Sequence, residues 1–430
     1  MRKFDLRNTT DYSELEAFLD KRKENNSSDV EGIVKDIIAK VRAEGDAALR
    51  YYNAKFDGCE IEDLKVSDAE IEEAFRSIDK DLLGSIERAA ENIRYFHQKQ
   101  MENSWFEQKD DGTTLGMLIL PLKTVGIYVP GGAGGKTPLP SSVLMDAIPG
   151  QVAGVENLVM VTPPSADGSV PSVTLVAAKI AGVKEIYKVG GAQSIAALAY
   201  GTETIPAVDK ITGPGNAFVA TAKKMVFGQC GIDMVAGPSE ISIIADSSAN
   251  PLWLAADLLS QAEHDTLAAA IMVTTDEKLA LATEEELNKA IKPLERYEIA
   301  QASWDDYGAI ILCQDLDQCF DIANIIAPEH LELAIENPLA YIHKPKTAGA
   351  LFLGHYTPEA LGDYMAGPNH TLPTIGTARF SSPLNTMDYM KKTTVLCYNK
   401  AAFMAVQDDI SRFARSEGLT AHARAAEIRK

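Results

Sequence analysis

From about residue 123 onward, short apolar runs alternate with segments patterned as helices, and this alternation constrains the fold more than any other feature. "TVGIYVP" reads as a buried strand, followed by the glycine-rich "GGAGG" and a helix "SSVLMDAIPG". "VENLVMVTPP", "VKEIYKVGG" and "VDKITGPG" read as further strands. The helices "VPSVTLVAAKIAG", "AQSIAALAYG" and "NAFVATAKKMVFGQ" sit between and after them. The pattern resumes at "SEISIIAD" (strand), "NPLWLAADLLSQAEHD" (helix) and "TLAAAIMVTTD" (strand), and runs on through "GAIILC", a helix near 315–327 and "GALFLG". Strands joined through helices pair in parallel, so the expected class is α/β: two doubly wound, incomplete Rossmann-like units with mostly parallel sheets.

The flanks read differently. Residues 1–26 are expected to form a short helical arm. In "SSDVEGIVKDIIAKVRAEGD", Ser28 and Glu31 have capping-box spacing, and Val30, Ile33, Val34, Ile37, Ile38 and Val41 keep helical periodicity. Further amphipathic helices are expected at about 69–100. Near the end, Phe403, Val406, Ile410 and Phe413 make an apolar stripe on a tail too short for its own core, so it must pack on another surface, a second subunit's among them. The expected division is an arm (1–26), a metal and substrate unit (27–127 with 241–384), an inserted unit (128–240) and a tail (385–430).

At 430 residues with 46% hydrophobic side chains, the chain has material for more than one core. Its formal charge of −20 repels polyanions, which argues against nucleic acid. No run of about 18 apolar residues suggests a membrane span, and the start lacks a signal-peptide core, so a cytoplasmic location is expected. Five scattered cysteines without a C-x-x-C fit reduced thiols.

Neither "GGAGGKTP" nor "GPGNAF" matches the G-x-G-x-x-G fingerprint, and the first also misses the phosphate-loop spacing. Taken alone they read as plain tight turns slightly more readily than as nucleotide sites. Each nevertheless falls where a strand ends and a helix begins, the usual place for a ligand in such sheets. Lys136 is read as a solvated loop residue in preference to a phosphate contact.

Histidine is scarce, with seven in the chain. His97, His343 and His355 read as structural. His264, His330, His370 and His422 sit among acids and amides, in "SQAEHD", "APEHLEL", "LGDYMAGPNH" and "EGLTAHA". Gln261 and His264 have the spacing of one helix face. With Asp363 and Glu329, these histidines suggest a divalent metal site with acid–base groups. Nitrogen and oxygen donors without cysteine suit zinc, and manganese or cobalt as well; glutamine is an unusual ligand. Glu329 and His330 are adjacent, and neighbours face apart in regular structure, so they are expected to serve separate tasks.

The blocks "KFDG", "VGIYVPGG", "PSSVLM", "VGGAQSIAALAYGT", "ITGPGN", "AGPSE", "LLSQAEH", "APEHLEL", "GDYMAGPNHTLPT", "FSSPL" and "EGLTAHA", in this order, resemble the L-histidinol dehydrogenase family nearly end to end. The resemblance implies a zinc- and NAD-dependent oxidation of L-histidinol through L-histidinal to L-histidine, the last two steps of histidine biosynthesis. It implies one zinc per subunit, held by Gln261, His264, Asp363 and His422. In the implied reaction His330 takes the alcohol proton and Glu329 activates water for the aldehyde step. Ser239, His370 and Glu417 match substrate-contacting positions, where the metal ligands and His330 also meet the substrate. Tyr128, Gln193 and Asn216 match NAD contacts. It also implies an intertwined homodimer whose tail, with Glu417 and His422, completes the neighbour's site. This chain departs from the family pattern by extra residues in "AGGKT", which leaves contacts of that loop with NAD open. Rival readings are a dehydrogenase of another amino alcohol or diol, a zinc hydrolase using Glu329, and a non-catalytic metal-binding protein.

Overall fold

The computed structural model describes residues 1–24, 29–131 and 137–429; Ser28 of the expected capping box and Lys136 of the glycine-rich loop lie outside the described residues. In chain order, β1 (Arg2–Asp5) precedes β2 (Trp105–Gln108) and β3 (Thr114–Pro121). Next come β4 (Thr124–Tyr128), β5 (Asn157–Thr162), β6 (Glu185–Lys188), β7 (Lys210–Thr212) and β8 (Gly231–Ile232). They are followed by β9 (Glu240–Ala245), β10 (Ala269–Thr274), β11 (Ala309–Leu312), β12 (His330–Ala334), β13 (Ala350–Leu353) and β14 (Met390–Cys397).

A six-stranded sheet has the order β1-β11-β10-β9-β12-β13, and a five-stranded sheet has the order β6-β5-β4-β7-β8. Every pair in both is parallel, as the strand–helix alternation leads one to expect. In each sheet three successive strands step outward one way before the chain crosses back. The order therefore reverses between β9 and β12 in one sheet, and between β4 and β7 in the other.

The continuous apolar texture of these strands follows from burial on both faces. Ile241, Ile243, Ala270 and Met272 meet Leu254, Leu258 and Trp304 on one side. Ile244, Ile271, Val273 and Ile311 meet Phe4, Leu15 and Phe320 on the other. Each such aliphatic side chain contributes about 1.5–3 kcal/mol of transfer free energy. On the helix Asp29–Glu44, Val34, Ile37, Ile38 and Val41 bury against Val159, Val161 and Ala196 of the five-stranded layer.

The chain forms two compact units. The first, Met1–Gln100 with Leu122–Tyr389, carries both parallel sheets. The second, Met101–Pro121 with Met390–Lys430, carries an antiparallel sheet in the order β14-β3-β2 and the helices Lys400–Ser416 and Thr420–Glu427. Two features differ from the sequence reading. The N-terminal segment is not helix alone: β1 joins the edge of the six-stranded sheet beside β11. Its charged residues Arg2, Lys3 and Asp5 hide a strand in which only Phe4 is buried, as suits a short edge. The tail likewise opens with a strand, β14, paired to β3 over its whole length.

In the tail, Ala402, Gln407 and Ala414 pack toward Ala423 and Ala426, and Gln407 donates to the Ala426 carbonyl at 2.8 Å. The apolar stripe stays open in this single chain, with Phe413 73% and Ile410 39% exposed. Among the described residues, no helix is long and apolar enough to cross a membrane.

Candidate active site

The acid–base candidates lie at the N-terminal edge of the six-stranded sheet, where the strand order reverses. His330 opens β12 opposite Ile241 of β9 and Ala350 of β13. Glu329, one residue earlier, precedes the strand's alternation, so the two neighbours do not face apart as regular structure would require. Glu329 Oε2 lies 3.7 Å from His330 Nδ1. Both are buried, and both are held by the backbone of Glu240, the first residue of β9. The Glu240 N–H donates to Glu329 Oε2 at 2.9 Å, and the Glu240 carbonyl lies 3.1 Å from His330 Nδ1. A carbonyl can only accept, so the proton of a neutral imidazole sits on Nδ1, leaving Nε2 as the acceptor. That Nε2 is buried without a hydrogen-bond partner among the described residues.

Around it gather the C-terminal end of the helix Pro251–Ala262 and the segment following β13. Gln261 is fully buried and donates its two amide hydrogens to the two Glu359 oxygens, at 2.7 and 3.0 Å, so its nitrogen, 3.2 Å from His330 Nδ1, has no hydrogen left for that atom. The helix ends at Ala262, so His264 lies in the turn beyond it. Its N–H returns to the Gln261 carbonyl at 3.2 Å; the residue as a whole is exposed, while burial of its imidazole lowers that group below its ordinary value. Gln261 therefore belongs to the last turn of the helix, and His264 lies in the turn that follows it. Asp363 sits in a π-helical turn, Gly362–Ala366, a wider winding that recurs at functional sites. Asp363 Oδ1 is 3.5 Å from His370 Nδ1, and Glu359 Oε1 is 3.8 Å from His330 Nε2. Donor atoms of His330, Glu359 and Asp363 all fall within 4.8 Å of one another.

The electrostatics follow from crowding carboxylates in a dry place. Burial, and then the charges of Glu240, Glu359 and Asp363, push Glu329 well above the usual carboxylate range against the opposing Glu240 N–H. Burial, Asp363 and Glu332 do the same to Glu359. Burial pushes Asp363 up as well, but the His370 hydrogen bond and the imidazoles of His370, His330 and His264 outweigh it and leave the carboxyl below its ordinary value. For His370 burial works downward and Asp363 wins, raising it. Burial holds His330 down at about 4, so it is neutral near pH 7. Three carboxylates facing histidines, with a bare imidazole nitrogen among them, are a donor set that a divalent cation relieves.

Ser239 lies on the loop entering β9, its carbonyl accepting from the Ala269 N–H at 3.1 Å. Glu417 caps the helix Lys400–Ser416 and His422 lies in Thr420–Glu427; both are exposed and belong to the second unit, whereas the residues described above belong to the first. Glu359 is absent from the sequence reading, although it stands four residues before Asp363 in "PEALGD". Glu240 went unnoticed because it acts through backbone atoms that every residue carries.

The NAD candidates lie at the opposite kind of edge, the C-terminal ends of the five-stranded sheet at its order reversal. Tyr128 ends β4, and Asn216 follows β7 as the N-cap of Ala217–Val226, accepting from the Phe218 and Val219 N–H groups. Gln193 is buried in the first turn of Gly191–Tyr200, its Oε1 without a partner among the described residues. Burial raises the Tyr128 phenol to about 12. Gly213, at φ 115°, lets β7 pass close to β4, since a methyl there would stand 2.1 Å from the Tyr128 carbonyl oxygen. Asp146 connects the two regions. It is buried, raised to about 7 chiefly by burial and then by Asp233, and it interacts with His370, while its carbonyl accepts from Tyr389 Oη at 2.5 Å.

The sequence model described as histidinol dehydrogenase matches residues 20–430. The chain belongs to the histidinol dehydrogenase family. A histidinol dehydrogenase of Halalkalibacterium halodurans is 54% identical over 92% of this chain and 93% of its own. One of Geobacter sulfurreducens is 49% identical over 100% of both. The crystal structure of histidinol dehydrogenase from Elizabethkingia anophelis matches with a TM-score of 0.91 at 37% identity, covering 100% of this chain and 98% of that one. Membership makes the chain an oxidoreductase of histidine biosynthesis, with the cluster His330, Glu359 and Asp363 as a possible metal site.

Proposed function

We propose that the chain oxidises L-histidinol through L-histidinal to L-histidine, using zinc and NAD, as a homodimer with exchanged C-terminal tails. The observation that carries this reading is the buried Glu329–His330 pair, fixed by one backbone residue beside a cluster of carboxylates and imidazoles. Gln261, His264 and Asp363, with His422 from the exchanged tail, are the proposed zinc ligands. Bound there, zinc supplies a fixed positive charge for the imidazole and amine of the amino alcohol, without redox change of its own. NAD, proposed to contact Tyr128, Gln193 and Asn216, supplies the hydride acceptor for each oxidation.

His330 receives the alcohol proton at Nε2, the acceptor left when Nδ1 donates to Glu240. Being neutral near pH 7, it needs no prior deprotonation. Glu329, whose raised pKa makes its carboxylate a stronger base, takes a proton from the water that adds to the aldehyde. Ser239, His370 and Glu417 position the substrate, His370 through its bond to Asp363. Burial of the pair excludes bulk water and so protects the reactive aldehyde between steps.

The decisive experiment incubates purified, zinc-loaded protein with L-histidinol and NAD and counts reduced cofactor per histidine formed. Two per histidine is expected. No NAD reduction with histidinol would instead favour a zinc hydrolase, which needs no nicotinamide and releases none. Turnover of another amino alcohol in its place would favour a related dehydrogenase.

A further inference from the structure

Arg22, on the helix Ser13–Glu24, is buried and has no chemical role among those assigned above. Its guanidinium gathers the loops that lead into two central strands. Nε donates to the Leu267 carbonyl at 2.8 Å, ahead of β10. Nη2 donates to the carbonyls of Pro238 at 2.7 Å and Ser239 at 2.9 Å, ahead of β9. Nη1 pairs with the buried Glu240 carboxylate. Pro238 and Ser239 precede β9, so this fork of donors fixes them where the strand is about to begin. Glu240 in turn gives its N–H to Glu329 and its carbonyl to His330.

We infer that Arg22 is a positioning residue for the acid–base pair. It acts through Glu240, which it immobilises, and so sets both the aim of Glu329 and the tautomer of His330. This rests on the roles proposed for those two residues. A planar fork is required, because four acceptors on two loops and one side chain lie beyond a single ammonium group. A cavity of about 350 Å³ borders Arg22, Glu240, Phe18, Ile326 and Arg379, wide enough for a free guanidinium ion to reach a truncated site.

The test uses full-length, zinc-loaded Arg22→Ala and Arg22→Lys, with histidinol and histidinal supplied separately, with and without guanidinium chloride at millimolar concentration. In Arg22→Ala, kcat should fall about 100-fold for both substrates, since displacement of a catalytic group by about 1 Å can cost that much. KM should change less than about threefold and zinc should stay bound, while guanidinium restores at least about tenfold of the lost rate. Arg22→Lys should recover little. Unchanged kcat, or a fall that guanidinium does not relieve and that comes with loss of zinc, overturns the inference. If Arg22→Ala does not fold, Arg22→Lys decides: a lowered kcat at constant KM supports the role, an unchanged kcat refutes it. Nitrogen-15 shifts of His330 read the same point without turnover. Nδ1 should be protonated in the wild type and mixed in the variant, and identical shifts would overturn the inference. Because wild-type turnover is measured alongside, failure of the functional reading shows as an inactive wild type, whereas failure of this inference shows as a variant indistinguishable from an active one.

Discussion

Gly213→Ala probes the crevice proposed to hold NAD. The residue sits at φ 115°, and an added Cβ would stand 2.1 Å from the Tyr128 carbonyl oxygen, 3.0 Å from its carbon and 3.2 Å from its nitrogen. The obstacle is backbone on both sides, so no rotamer change relieves it, and the ends of β4 and β7 must part by about 1 Å or more to reach ordinary contact. Gly213 cannot retreat easily: its N–H donates to Asp233 Oδ2 at 2.9 Å, and its carbonyl accepts from Lys223 Nζ at 2.7 Å. Lys223 is itself paired with Asp233 in the interior. A side chain in this backbone region costs about 1–2 kcal/mol, and forcing volume into a packed site adds about 1–3, giving about 2–5 kcal/mol. Thermal unfolding should move down by about 3–10 °C. The steady-state signature should be selective: KM for NAD rising about tenfold or more, equivalent to about 1.4 kcal/mol, with zinc content and KM for histidinol little changed. A melting temperature within about 1 °C of wild type and an unchanged KM for NAD would refute the close-approach argument and the assignment of the crevice together.

His330→Asn should slow histidinol oxidation by about 10²–10⁴-fold with zinc retained, as measured by steady-state kinetics and metal analysis; loss of the metal would mean the roles of base and ligand are exchanged. Glu329→Gln should impair histidinal oxidation more than histidinol oxidation, and an equal fall in both half-reactions argues against water activation. Mixing inactive His422→Ala with inactive His330→Asn should restore part of the activity through heterodimers. No recovery despite demonstrated subunit exchange would place His422 in its own chain's site. His97 is wholly buried between Gln100 and Asn369, and burial pushes its pKa below 6.5 in spite of the Gln100 hydrogen bond. The unfolded chain therefore binds a proton that the folded chain refuses, and stability drops as pH falls from about 6.5 toward the folded value. Denaturant midpoints between pH 7 and 5 should decline less steeply in His97→Asn than in wild type, and parallel curves would contradict the assignment.

The parallel sheets were legible because strands buried on both faces, such as "EISIIA" and "AAIMVT", leave unbroken apolar runs. β1 was not legible, since three of its four residues are charged and a single side chain, Phe4, enters the core. The stripe Val34, Ile37, Ile38 and Val41 announced a packed helix but could not name its destination, because an apolar face fits any apolar face. At the site, polar company singled out the histidines at 264, 330 and 370 together with Asp363, and the structure brings these groups within electrostatic reach of one another. Glu240 and Arg22 left no trace in the sequence. One contributes peptide atoms, and the other reaches its partner across 218 positions.

β3 reads "TLGMLILP", without a charge, and lies between β2 and β14 in its sheet. The last forty or so residues therefore carry more than Glu417 and His422: they shield a greasy ribbon that would otherwise present bare amides and carbonyls to any passing strand. Trimming the protein back to Tyr389 in order to isolate its larger half would uncover that ribbon and invite sticking between molecules. Cutting after Cys397 would remove both terminal helices while leaving the shield in place.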